Sequence, residues 1–159
     1  MSEENIERYI RQRNIVPQDL LNSQQIAIIG VGAVGKEVLR TLACNGAQNM
    51  TIYDFDTVEL HNCTTQGYYE SDVGRPKVEA AAEDALRINS SIKINAINDR
   101  WRPNEDKYDA TFLCVDSLAM RGKLFNFFAS SVGFIAVARP GGEQIPLVTA
   151  VDNPSRAHY

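Results

Sequence analysis

The amino-acid sequence predicts an α/β fold: a doubly wound, mainly parallel sheet with helices on both faces. Three observations lead there. Short apolar runs alternate with stretches whose apolar residues recur at helical spacing, the pattern of strand–helix–strand crossovers. Several of the runs are apolar throughout, without alternation, as strands covered on both faces must be. Gly30, Gly32 and Gly35 then punctuate the junction between the first run and the first helix. In such folds ligands bind beyond the carboxyl ends of the strands, where the sheet reverses direction.

The elements follow in order. Residues 3–12 read as a short charged helix, part of an N-terminal helical arm over 1–22, which Pro17 ends or redirects. Gln25-Ile26-Ala27-Ile28-Ile29 is a buried strand. Val34, Val38, Leu39, Leu42 and Ala43 form a helical stripe that Asn45-Gly46 stops. Residues 50–53 are a second strand. From 54 to 74 there is no period, only acids, amides, threonines and tyrosines, and the segment reads as a long loop. Val78, Ala81, Ala82, Ala85 and Leu86 mark a second helix ending near Asn89-Ser90, and 92–96 alternates as a strand. Residues 110–115 form another buried strand, 118–128 a third helix and 134–138 a further strand; 147–151 offers one more. The loops at 30–35, 54–74 and 115–117 all follow strands, so they should crowd one rim.

The bulk numbers set bounds. A chain of 159 residues with 44% hydrophobic and 23% charged residues predicts one globular domain over 1–159. The formal charge of −4 argues against a non-specific nucleic-acid binder, which needs a basic face. No apolar stretch approaches the roughly 20 residues that span a bilayer, and the charged first residues do not resemble a signal peptide. Cys44, Cys63 and Cys114 include no CxxC pair, so neither a disulfide frame nor a zinc site is expected, and a cytoplasmic location is.

"IAIIGVGAVGKEVLRTL" is GxGxxG between a strand and a helix. Gly30 permits the tight turn, Gly32 lets a phosphate approach the backbone, and Gly35 lets helix and strand pack closely. The helix N-terminus beyond presents free N–H groups to an anion. Gly30 and Gly35-Lys36 nearly spell a P-loop, but Glu37 follows where that motif needs Ser or Thr for magnesium. Lys36 is therefore read as a solvated first-turn residue. Asp54, at the end of the second strand, stands 19 positions after Gly35, where a Rossmann-like fold keeps an acid for ribose hydroxyls. A nicotinamide enzyme fits this much, but the rim offers no His or Tyr-x-x-x-Lys proton relay.

The long loop separates the readings. "RYIRQ" (8–12), "GVGAVG" (30–35), "DFDTVELHN" (54–62), Gln66, "DVGRPKVEAA" (72–81), "RINSSI" (87–92) and "CVDSLAMR" (114–121) occur in this order over nearly the whole chain. Together they resemble the ubiquitin-activating-type adenylyltransferases, represented in bacteria by ThiF, MoeB and HesA. The resemblance implies ATP-dependent adenylation of the C-terminal glycine of a ubiquitin-like or sulfur-carrier protein. It implies Lys77 as the cation at the α-phosphate, Asp116 as the acid for Mg2+, and Asp54 as the ribose acid. It also implies nucleotide-lining roles for Gly30, Gly32, Gly35, Asp56, Asn62 and Gln66. Arg11 corresponds to an arginine that reaches into a neighbouring subunit's site, which implies a homodimer.

Two departures stand out. Thr65 occupies the place of a phosphate-binding arginine, leaving Arg75 or Arg121 as substitutes. The carrier-binding region with zinc CxxC pairs found in relatives is not in this sequence. These departures keep open a second reading, a non-catalytic or partial nucleotide-binding subunit that pairs with a complete activating enzyme. Cys44 is expected on the apolar side of the first helix, Cys63 in the phosphate loop, Cys114 at the end of a buried strand, and Trp101 as a partly buried surface aromatic.

Overall fold

The computed structural model describes residues 7–12, 14–103, 106–129, 131–139 and 147–151. Of the helix expected over 3–12, Glu7 and Arg8 are helical and 9–12 form a turn; the rest lies outside the described residues. Pro17 then caps a helix the sequence reading missed, α1 (Gln18–Ser23). The chain continues as β1 (Gln25–Ile29), α2 (Ala33–Asn45), β2 (Asn49–Tyr53), α3 (Leu60–Thr65), a 3₁₀ turn (Glu70–Asp72) and α4 (Lys77–Ile88). After these come β3 (Lys93–Ile97), β4 (Ala110–Leu113), α5 (Leu118–Phe128), β5 (Phe134–Arg139) and β6 (Leu147–Val151).

The six strands lie in the order β3-β2-β1-β4-β5-β6, parallel except for β6, which pairs antiparallel with β5 at the edge. The order reverses beside β1, where the fold class places its ligand. The strand β1 shows why the sequence reads as one unbroken apolar run. Ile26 and Ile28 enter a core with Leu39, Ala43, Val78, Ala81 and Ala85 from α2 and α4. Ala27 and Ile29 point the other way, into a core with Leu124, Phe125 and Phe128 of α5. Both faces are covered, so no alternation survives.

Three expectations fail here. The segment 54–74 is not all loop: α3 and the 3₁₀ turn interrupt it. Their polar residues satisfy the backbone through capping contacts, Glu59 with Asn62 and Tyr69 with Asp72, which leave no apolar period to read. Lys36 is not solvated. It is only 5% exposed, with its ammonium 3.0 Å from Asp84 of α4 and lying over the Tyr68 ring. Cys44, placed on the apolar side of α2 by the sequence reading, is exposed instead.

Close approach of α2 to β1 depends on Gly35. A Cβ there would fall inside the van der Waals envelope of the Gly30 carbonyl oxygen and 3.2 Å from the Cys114 Cβ. Gly35→Ala should therefore destabilise the protein by about 3 kcal/mol or more in urea unfolding, although alanine alone would favour the helix by about 1 kcal/mol. A neutral or stabilising result would mean that helix and strand can separate at no cost.

Candidate functional site

Because β1 to β4 run parallel, the loops leaving their carboxyl ends meet on one rim. They enclose a cavity of about 530 Å³. It brings together Gly30, Gly32, Asp54, Asp56, Gln66, Lys77 and Asp116. A fourth segment also lines it, Asp99, Arg100 and Trp101 after β3, to which the sequence reading gave no site role. Their place directly after a strand was the available signal.

Local forces hold each wall. Gly30, at φ +91°, donates its N–H to the Tyr53 carbonyl at 2.8 Å. A Cβ there would lie 2.8 Å from the Cys114 carbonyl oxygen, so only glycine fits the turn. The Asp54 carboxylate accepts from Val31 N at 2.8 Å with one oxygen and from Asp56 N at 2.9 Å with the other. The long loop closes on itself: Val58 N donates to Arg75 O, Gly74 N to Val58 O and Lys77 N to Asp56 O, each at 2.9 Å. This clasp delivers Lys77, 6% exposed, to the cavity with its ammonium 3.2 Å from the half-exposed Asp56 carboxylate. Gln66 Oε1 is buried beside Gly32 and has no partner among the described residues. Such an atom suits a ligand or water hydrogen bond.

Part of the cavity wall, Tyr53, Phe55 and Trp101, is aromatic. The Arg100 guanidinium lies 4.2 Å over the Phe55 ring, and Trp101 packs against Phe127 and Phe128 at 4.8 Å. Trp101 is thus both a core aromatic and a cavity wall. Hydrogen bonds from Arg102 and from the Arg100 N–H hold the Asp99 carboxyl below its ordinary range, so it stays charged.

Other expected residues stand outside the cavity lining. Gly35 serves the α2–β1 contact. Asn62 is 2% exposed, with its Oδ1 accepting from Glu59 N at 2.8 Å, and so works as a helix cap. Arg11 is exposed, and its neighbour Gln12 donates to the Asn45 carbonyl at the C-terminal end of α2. The glycine loop is at the other end of that helix, about 20 Å away at 1.5 Å per residue. Arg11 therefore does not serve its own chain's cavity. Thr65 is exposed and bonds back to the His61 carbonyl at 2.8 Å. Neither arginine named as its substitute lines the cavity. Arg75 pairs with Asp72 and Glu83, and the buried Arg121 donates to the Val115 carbonyl at 2.6 Å. Asp116 is exposed on the rim. Ser117, the next residue, caps α5 by accepting from Met120 N at 3.3 Å.

A parallel sheet, a GxGxxG turn at its switch point, a tethered acid after β2 and a lysine–acid pair on the same rim define a Rossmann-like α/β domain with an anion-suited glycine loop. Residues 5–151 match the ThiF family, and the chain belongs to it. It is 34% identical over 128 residues to the molybdopterin-synthase adenylyltransferase of Escherichia coli K12, covering 76% of this chain and 51% of that protein. It is 32% identical over 106 residues to the adenylyltransferase and sulfurtransferase UBA4 of Yarrowia lipolytica, covering 64% of this chain and 27% of that one. The chain thus spans about half the length of the bacterial relative. Among solved structures, the E. coli tRNA N6-threonylcarbamoyladenosine dehydratase TcdA shares the fold at TM-score 0.81 and 22% identity, over 91% of this chain and 64% of that one. E. coli MccB with AMPCPP and MccA does so at 0.75 and 23%, over 87% and 44%. The family drawn from the motifs and the fold drawn from periodicity both hold.

Burial pushes the Cys114 thiol up to about 12, against the smaller opposing pull of Arg121. A raised pKa keeps it protonated, and so unreactive, throughout the neutral range. Iodoacetamide at pH 8 should label the exposed Cys44 in the native protein and leave Cys114 unmodified until denaturant is added. Mass spectrometry of the digests checks this, and equal labelling would mean that the glycine loop opens readily.

Proposed function

We propose that the chain is the core of an ATP-dependent adenylyltransferase that activates the C-terminal carboxylate of a ubiquitin-like or sulfur-carrier protein as an acyl-adenylate. The carrying observation is the Lys77 ammonium, held by Asp56 in the same cavity as the glycine loop. Family membership and the names of the curated relatives support the reading. In this chemistry a carboxylate oxygen attacks the α-phosphorus and pyrophosphate leaves, while negative charge builds on the phosphoryl oxygens. A fixed cation in a partly dry site is suited to that charge, and a lysine that the fold has already oriented needs little reorganisation. Asp54 would hold the ribose, the Gly32 region and Gln66 the phosphates, and the aromatic wall the base. Asn62 and Gly35 would support this lining from behind.

Among the described residues no cluster of three or more His, Cys, Asp or Glu forms a metal cage. The exposed Asp116 carboxylate on the cavity rim fits Mg2+, which arrives with the triphosphate and needs one or two protein carboxylates; Asp116 would be the ligand. Magnesium supplies charge neutralisation along the phosphates. Arg11, remote from its own cavity, supports a homodimer in which each arm serves the other site. We place the protein in the cytoplasm, with neither membrane nor nucleic acid as a partner. Among the described residues no helix is long and apolar enough to cross a membrane.

A specific observation favours the second reading, a partial subunit paired with a complete enzyme. Thr65 leaves a cation out, and Arg75 and Arg121 are both engaged elsewhere. A missing charge-assisted hydrogen bond would weaken triphosphate binding by roughly 10- to 100-fold.

ATP–pyrophosphate exchange with Gly-Gly-ended carrier proteins separates the two. The active reading expects exchange in the wild type and a fall of about 100- to 1,000-fold in Lys77→Ala, with a stability loss of only about 1–2 kcal/mol. Exchange undiminished in that variant would remove Lys77 from the chemistry. Tighter calorimetric binding of NAD than of ATP–magnesium would overturn the adenylyltransferase reading itself.

A further inference from the structure

We propose that Tyr68 is a positioning residue whose hydroxyl aims the Gly32 N–H of the glycine loop into the cavity, where it receives a phosphate oxygen. The proposal deepens the nucleotide-binding reading and rests on it for the identity of the anion.

Tyr68 is 3% exposed, and its hydroxyl donates to the Val31 carbonyl at 2.7 Å. A second oxygen, the Lys77 carbonyl, lies 3.4 Å away, but one hydroxyl proton serves the shorter contact. In a planar trans peptide the C=O of one residue and the N–H of the next point in opposite directions. Fixing the Val31 carbonyl toward Tyr68 therefore turns the Gly32 N–H away from it. Gly32 lines the cavity, and its N–H has no acceptor among the described residues. The preceding peptide is held too, because Val31 N–H is bound by Asp54. Val31 is thus gripped at both its polar atoms, and the loop cannot rotate about it without breaking a bond.

Tyr68 is itself held. The Lys36 ammonium lies 4.5 Å from the centre of its ring, donates to the adjacent Gly67 carbonyl and pairs with Asp84 at 3.0 Å. This gives the burial of Lys36 a consequence at the site. Burial, with Asp54, Asp72, Asp84 and Asp56 nearby, drives the Tyr68 pKa upward, so the hydroxyl remains a donor at any working pH. Misplacement of a contact by an ångström can cost two orders of magnitude in rate, so the orientation of one N–H matters.

Tyr68→Phe removes the hydroxyl and keeps the ring under Lys36. Two measurements on the full chain test the role. Without nucleotide, hydrogen exchange should rise in peptides covering 30–36 well beyond any rise in peptides covering 110–128. With nucleotide, affinity for ATP should fall about tenfold, while affinity for adenosine, which has no phosphate, should not change. Equal exchange at 30–36 in wild type and variant would overturn the proposal whether or not the protein binds ATP. So would equal losses for ATP and adenosine, which would mark Tyr68 as merely structural. A wild type that binds no ATP would defeat the adenylyltransferase reading instead, and the exchange comparison would still decide whether Tyr68 orients the loop. Should Tyr68→Phe not fold, Lys36→Met releases Gly67 and the ring from the other side, and the same exchange comparison applies.

Discussion

The rim of this domain is organised around one carboxylate. Asp54 takes Val31 N–H on one oxygen and Asp56 N–H on the other. Through Asp56 the same tether reaches Lys77, whose N–H and ammonium both contact that residue. Glycine loop, second strand and lysine are therefore one hydrogen-bonded unit rather than three neighbouring loops. Hydrogen bonds to a charged group contribute about 1.5–3 kcal/mol each, enough to fix loops that would otherwise retain conformational freedom.

A second layer of charge lies behind that unit. Lys36 and Asp84 pair across the α2–α4 contact, and Asp72 and Arg75 of the returning loop join Glu83 and Arg87 of α4 in a second group of pairs. The Lys36–Asp84 pair is largely buried, and such a pair contributes little net stability because desolvation offsets the attraction, yet breaking it leaves an uncompensated charge; the pairs of Arg75, Glu83 and Arg87 are partly exposed. Their consequence here is geometric. They hold the returning end of the long loop against α4, so the clasp that presents Lys77 closes in one way.

The opposite end of the molecule is held by a different device. Gln12 and Gln18 both donate to the Asn45 carbonyl, and Arg8 donates to the Ile88 carbonyl. The N-terminal segment thereby caps the C-terminal ends of α2 and α4, whose other ends face the cavity. Carbonyls at helix ends lack intrahelical partners, so this docking satisfies them and fixes the arm that carries Arg11 on the far side of the domain.

Much of this was legible in the sequence, since the periodicities of helix and strand leave a mark on the residues themselves. β1, α5 and β6 fall on the residues that their apolar patterns indicated, and GxGxxG with Asp54 marked the rim. Other features depend on contacts between residues far apart in the chain. That Lys36 is buried follows from Asp84 and Tyr68 arriving beside it from 48 and 32 positions further on. That Asn62 caps a helix, while Arg100 and Trp101 wall the cavity, depends on how the polar loop folds back, and polar residues carry no period to announce it. Sequence by itself determined the order of the strands, the helices that cross between them and the glycine turn, because each is local. Only tertiary structure decided which charges are buried, which are paired and which face the cavity, because each partner is brought there by packing.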